Sequence, residues 1–199
     1  RDVNERSSIS YVRYLLEHLN QEIQALSIPL NIILGMENHL EIDTAEQVDT
    51  GHALPIEGTK YILIELPFDF YPFYTEDVLF KLRLNGLRPI VVHPERNLAI
   101  QEEPALLANL IGKGALSQVT AGSIDGTLGK RYQRVAQDLL RQNMVHIIAS
   151  DGHTSRGIRK PILSHAVLAA SKIVGNNMAH KMVKTIPLSI LQNEDLVLD

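Results

Sequence analysis

The chain of 199 residues contains no cysteine. That excludes a disulfide framework, a thiolate nucleophile and a cysteine-bound zinc, and it fits a reducing cytoplasm. No apolar run approaches the ~20 residues a transmembrane helix needs, so membrane insertion is not expected. An excess of positive charge is missing too. Nineteen Lys and Arg face 23 Asp and Glu, for a net charge of −4. Nothing there resembles the basic surface that neutralises nucleic-acid phosphates. The opening stretch RDVNERSSISYV is polar, unlike a signal peptide. It lacks an initiator Met, which raises the expectation of a processed or truncated piece.

What is present describes a globular protein. Forty-five per cent of the residues are hydrophobic, and the length predicts a single domain over 1–199. Ile9, Val12, Leu15, Leu16, Leu19, Ile23 and Leu26 recur at helical spacing and predict an amphipathic helix over 6–27, with Ser8 or Ser10 as its cap. Five short apolar runs read as strands: LNIILGMEN, YILIELP, RPIVVHP, ALSQVTAGS and VHIIASDGH. Between and after them, TEDVLFKLRLNG, EEPALLANLIGKG, KRYQRVAQDLLRQN and PILSHAVLAASKIVG read as helices. The tail AHKMVKTIPLSILQN reads as one more helix or a helix pair. Thr75 is placed as the cap of the first of these helices and Gly86 as its stop. Strands alternating with helices indicate βα units and a mainly parallel α/β sheet.

The chemistry-bearing residues gather at the carboxyl ends of the strands, the edge where α/β folds build their sites. Glu37, Glu65, His93, Asp151 and His153 are hard or borderline donors without sulfur, suited to Mn²⁺, Zn²⁺, Fe or Mg²⁺. The Asp-x-His spacing of SDGH allows both side chains to project to one face of an extended segment. Each residue also has a plainer use. A carboxylate can cap the next helix, and a histidine can be a hydrogen-bonded core residue. Glu and His are not favoured caps, however, so five of them at successive strand ends argue for metal. Such a cluster can generate a hydroxide and stabilise displacement at phosphorus.

Arg96 and Arg156 each follow a candidate histidine by three residues, and guanidinium matches phosphate oxygens. A surface role remains open for both, with Arg96 pairing Glu95. His18, His39, His52, His146, His165 and His180 are assigned no chemistry; His39 and His52 are placed in loops. The small residues of SQVTAGSIDG read as a strand followed by a Gly-rich turn. FDFYPFY reads as loop packing or as an aromatic rim beside Glu65.

GMEN, ILIELPFDFYPFYTEDVLFKL, RPIVVHPERN, GALSQVTAGSIDGTLGK and VHIIASDGH resemble, in order and spacing, the bacterial protein-tyrosine phosphatases of the PHP (polymerase and histidinol phosphatase) superfamily. These are manganese-dependent enzymes of capsular and exopolysaccharide synthesis. The resemblance covers nearly the whole chain from about residue 10. It implies a distorted (β/α)7 barrel with two or three Mn²⁺ ions at its carboxyl mouth. Glu37 would bridge metals, and Glu65, His93, Asp151 and His153 would be further ligands. Arg96 and Arg156, with Arg159 as the alternative to the latter, would bind the phosphate and act in catalysis. The substrate implied is phosphotyrosine on a partner protein, typically a bacterial tyrosine kinase controlling polysaccharide polymerisation, attacked directly by metal-bound hydroxide in the cytoplasm.

The family's opening His-x-His strand and a later strand ending in TPH have no counterpart here. The barrel is therefore expected to be incomplete at its N-terminus, with open sheet edges that invite pairing into a homo-oligomer. Two alternatives stand beside the main reading. One is a phosphoesterase for a small ester such as histidinol phosphate; the other is a non-catalytic remnant that binds a partner.

Overall fold

The computed structural model describes residues 9–196. They fall into two compact units that divide between Gly35 and Met36. The first holds helix α1 (Ile9–Ala25), whose only buried residue is Ile23. Ser10 lies inside this helix, and the Ser8 cap lies outside the described residues. Beyond α1 the chain runs on without regular structure, fastened by Asn20. Its side chain donates from Nδ2 to the Ile32 carbonyl and accepts the Ile32 N–H on Oδ1.

The second unit is an α/β layer structure. Its strands are β1 (Glu37–His39), β2 (Tyr61–Glu65), β3 (Arg88–Val92), β4 (Leu116–Thr120) and β5 (Ile147–Ala149). Every pairing is parallel, and the order is sequential from β1 to β5. Sequential order is the winding of a barrel, whereas doubly wound sheets reverse direction midway. Between the strands run α2 (Thr44–Asp49), α3 (Thr75–Leu84), α4 (Leu98–Glu102), α5 (Ala105–Gly112), α6 (Ala121–Asp125) and α7 (Lys130–Arg141). After β5 come α8 (Ser164–Val174), α9 (Asn176–His180) and α10 (Ile186–Leu191), the last two joined by a π-helical turn.

Strands β2 and β3 are largely apolar because both sheet faces are covered, whereas β4 combines Leu116 and Val119 with Ser117, Gln118 and Thr120. One face carries Ile62, Ile64, Val91, Val119 and Ile148. These pack with Val78, Leu82, Leu107, Leu110, Leu139 and Ala170 from the helices. Ile64 is fully buried, so truncating it to Ala is expected to cost about 2–5 kcal/mol. The other face gathers Tyr61, Ile90, Leu116, Ile147 and Ile190 near the strand starts. The C-terminal segment closes that end. Tyr61 donates its hydroxyl to the Glu194 carbonyl (2.6 Å), and Arg88 donates to the Leu196 carbonyl (2.7 Å).

Two expectations are corrected. The apolar run at 30–36 is not a strand; β1 begins only at Glu37, so Glu37 sits on the strand rather than after it. Thr75 does not cap α3. It is the first helical residue, and its hydroxyl donates to the Pro72 carbonyl. The charges of α3 nevertheless follow the helix dipole, with Glu76 and Asp77 in its first turn and Lys81 and Arg83 in its last.

Candidate active site

Strand register decides which side chains meet. Glu37 is opposite Leu63, and His39 is opposite Glu65. Paired residues of parallel strands share a face, and alternate residues of one strand do too. Glu37, His39, Leu63 and Glu65 therefore project from the same side, the one that holds Tyr61 and Ile90 further down. At the carboxyl edge this face changes from apolar to ionisable. His93 follows β3 in left-handed backbone (φ 35°), its N–H bonded to the Gln118 carbonyl (2.7 Å). That conformation is uncommon outside glycine and turns the imidazole into the space between the carboxylates. Asp151, just beyond β5, is left-handed as well (φ 49°).

The three donors meet closely. His93 Nε2 lies 3.5 Å from Glu37 Oε2 and 3.3 Å from Glu65 Oε1. One donor atom from each residue falls within 4.8 Å of the other two. His93 is buried, Glu65 partly so and Glu37 exposed, so the group opens to solvent on one side. Contact with His93 holds the Glu37 carboxyl below the usual range, against the opposing effect of burial; Arg96 and His153 pull the same way. Two carboxylate oxygens and one imidazole nitrogen facing a common point suit a hard or borderline divalent cation, and the residues present fit one.

Asp151 and His153 do not belong to that trio. Asp151 Oδ2 accepts Arg96 Nη2 at 2.5 Å and Arg159 Nη2 at 2.9 Å. Arg96 also donates to Thr120 Oγ1 (3.1 Å). It is therefore not paired with Glu95, the alternative its sequence neighbour suggested. Glu95 is wholly buried. Its Oε1 accepts the Thr120 N–H (3.0 Å) and the Ser123 hydroxyl (2.7 Å), while Oε2 has no partner. Burial pushes its carboxyl up from the usual range, more than those hydrogen bonds pull it down. His153 is exposed, with Arg159 Nη2 2.8 Å from its Nδ1. Arg156 is exposed, and its carbonyl accepts the Thr154 hydroxyl. Of the two alternatives for the second arginine, the one whose guanidinium reaches Asp151 is Arg159.

With this geometry in view, the relatives are informative. The family described as capsular polysaccharide synthesis, CpsB/CapC, matches residues 1–192. The chain belongs to the CpsB/CapC family. The tyrosine-protein phosphatase YwqE of Bacillus subtilis is 34% identical over 185 residues, 93% of this chain and 72% of that protein. CapC of Staphylococcus aureus is 34% identical over 148 residues, 74% of this chain and 58% of that protein. A crystal structure from work on YwqE and on CpsB of Streptococcus pneumoniae, described as unique metal-dependent tyrosine phosphatases, superposes with a TM-score of 0.89 at 33% identity. It matches 94% of this chain and 75% of that one. The parallel α/β unit is thus the PHP-type fold of those CpsB/CapC proteins.

One residue at this CpsB/CapC site was missed. His39 ends β1 rather than lying in a loop, and its Nδ1 sits 2.7 Å from Glu65 Oε2. The Glu37-x-His39 spacing, period two on a strand, was the available clue. His146, by contrast, supports the sheet away from the edge. Its Nδ1 accepts the Ser117 N–H (3.0 Å), and burial lowers its pKa to about 4. A cleft of about 390 Å³ between α3 and α5 is lined by Pro89 and Ala115 at the strand starts, away from the ionisable edge. Among the described residues no helix is long and apolar enough to cross a membrane.

Proposed function

We propose that this chain is a metal-dependent phosphatase that hydrolyses phosphotyrosine on protein substrates. The observation that carries the reading is the meeting of Glu37, Glu65 and His93 within 4.8 Å at the carboxyl edge, beside the Arg96–Asp151 pair, in a CpsB/CapC chain. Glu37, Glu65 and His93 would hold the metal, with Asp151 and His153 completing a cluster of two or three ions. Manganese is the metal assigned. When bound, it supplies Lewis-acid polarisation of the phosphoryl group and a water acidic enough to attack at neutral pH.

The chain's own residues do the rest. Arg96 and Arg159 present guanidinium groups to the phosphoryl oxygens, Arg159 taking the role first weighed for Arg156. Thr120 Oγ1 and Asp151 hold Arg96 in place. His39 orients Glu65, as partners of metal-bound carboxylates commonly do. The P–O bond to tyrosine breaks, and the departing phenol has a pKa of about 10, so it leaves with little help from a proton donor. No covalent phosphoenzyme is needed. The physiological substrate assigned is the cytoplasmic tyrosine kinase that controls polysaccharide polymerisation.

Turnover of a phosphotyrosine peptide and of histidinol phosphate, each with and without added Mn²⁺, tests this. Mn²⁺-dependent release of phosphate from the peptide is expected, lost in His93→Ala. Faster turnover of histidinol phosphate would favour a small-ester phosphoesterase. Failure to bind Mn²⁺ and to release phosphate from either would leave the non-catalytic reading.

A further inference from the structure

The loop leaving β2 toward α3 has an unusual surface. Phe68 is 47% exposed, Phe70 56% and Phe73 90%. Large aromatic side chains normally bury most of their area. Phe68 is set apart from the other two by its position. Its ring stacks on that of His93, with centroids 5.8 Å apart and planes inclined by 28°.

The segment that carries Phe68 is firmly held. Asn97, itself buried, donates from Nδ2 to the Pro67 carbonyl (2.6 Å) and the Phe70 carbonyl (2.9 Å). Its Oδ1 accepts the Ile100 N–H (2.9 Å), which caps α4. The Leu98 N–H donates to the Phe68 carbonyl (2.7 Å). Three of these hydrogen bonds therefore tie Pro67–Phe70 to the turn that carries His93 and Arg96. Both amide protons of Asn97 are used in doing so. The result is an apolar ring fixed against the buried His93, with half its area in solvent beside the opening of the Glu37–Glu65–His93 group. Exposing a ring in so rigid a mount costs solvation with no return to folding; a ligand ring laid on it would remove that cost.

We infer that Phe68 is the platform that receives the aromatic ring of the substrate, and so is the residue that selects aryl over alkyl phosphate esters. The inference rests on the phosphatase reading above and deepens it. Ring-on-ring packing at offset-stacked or edge geometry, together with the apolar area it covers, corresponds to about a tenfold preference.

The test uses the full chain loaded with Mn²⁺ and non-hydrolysable probes, so that the better leaving group of an aryl ester plays no part. Affinities for phenylphosphonate, ethylphosphonate and inorganic phosphate are measured calorimetrically for the native protein and for Phe68→Ala, Phe68→Leu and Phe68→Tyr. The native protein is expected to favour phenylphosphonate over ethylphosphonate by about tenfold. Phe68→Ala and Phe68→Leu should abolish that preference with Mn²⁺ and inorganic phosphate binding unchanged, and Phe68→Tyr should keep it. An undiminished preference in Phe68→Ala overturns the inference. So does equal weakening of all three ligands and of Mn²⁺, which would show that Phe68 only packs His93. The two readings fail differently. A native protein that hydrolyses phosphotyrosine peptide but is indifferent to the phenyl group refutes the platform alone, whereas one that binds neither Mn²⁺ nor phosphate refutes both.

Discussion

Arg96 and Asp151 are joined through Nη2 and Oδ2 at 2.5 Å across the carboxyl edge of the sheet, although 55 residues separate them in sequence. Arg159 reaches the same carboxylate oxygen. One carboxylate thus holds two guanidinium groups at the place where a phosphoryl group would bind. A phosphate dianion arriving there can take over donors that Asp151 has already oriented. Arg96→Ala is expected to lower kcat/KM for a phosphotyrosine peptide by about 100-fold or more, the scale of losing one preorganised donor to developing charge. Arg96→Lys should recover only part of this, because an ammonium cannot present two parallel donors. Arg159→Ala should lose more activity than Arg156→Ala. The reverse order in steady-state kinetics would return the second role to Arg156.

Metal binding should stabilise the fold as well as support turnover. Without a cation, Glu37 and Glu65 rely on His93 and His39 for balancing contacts. A ligand bound only by the folded state raises its stability by about 2.7 kcal/mol at a hundredfold excess over Kd. Thermal unfolding with EDTA and with Mn²⁺ should therefore show a higher Tm with the metal. Glu65→Gln should shrink that increment, and His39→Ala should weaken Mn²⁺ affinity about tenfold, the usual scale for a residue that orients a metal-bound carboxylate. An unchanged Tm in the presence of Mn²⁺ would count against the trio as a binding site.

Much of this architecture was readable in the residues, and the failures have physical causes. Strands β2, β3 and β5 show up as apolar runs rich in β-branched residues because both sheet faces are covered, while β4 is legible from Leu116 and Val119 flanked by polar residues. Strand β1 does not. Its residues Glu37, Asn38 and His39 are all polar, two of them aimed at the ionisable edge and Asn38 buried through hydrogen bonds to the Met36, Leu54 and Leu63 carbonyls. A strand recruited to a polar site loses the apolar pattern by which strands are found. The same cause hid His39. Helices α2, α4 and α6 have five or six residues each, too few to display a helical period. Asn97, unremarked in the sequence, turns out to link HPERN to the aromatic loop. The choice between Arg156 and Arg159 depended on the path of a loop, which spacing alone does not specify.

Glu95 offers a separate test, since its carboxyl fixes the end of β4 to the start of α6 through Thr120 and Ser123. Glu95→Ala would strand a buried N–H and a buried hydroxyl, at a cost of about 1–3 kcal/mol. Glu95→Gln keeps an acceptor and should be far milder. With the pKa raised in the folded state, the native form binds more protons than the unfolded one above the ordinary carboxylate range. Stability on this account falls as pH rises through that range toward the folded pKa. Urea unfolding of Glu95→Gln should show this decline removed; an identical slope in the native protein and the variant would mean that Glu95 is ionised in both states.

His146 acts in the opposite direction and in a higher window. Its folded pKa is lowered from 6.5 to about 4 by burial, with Arg88 adding to the effect, and its neutral Nδ1 accepts the Ser117 N–H. The unfolded state therefore binds more protons between those values, so the stabilisation is complete above pH 6.5 and is lost as pH falls toward 4. The shift corresponds to about 3 kcal/mol at most, at 1.36 kcal/mol per pKa unit. Unfolding free energies should drop between pH 7 and pH 4.5, and His146→Gln should flatten that part of the profile at some cost in stability at neutral pH. Because Glu37 is held below the ordinary carboxylate range, its own contribution persists until lower pH and does not account for a loss of stability that begins near pH 6. Metal-free protein is the right material for this measurement, since a cation bound only by the folded state would add its own stabilisation.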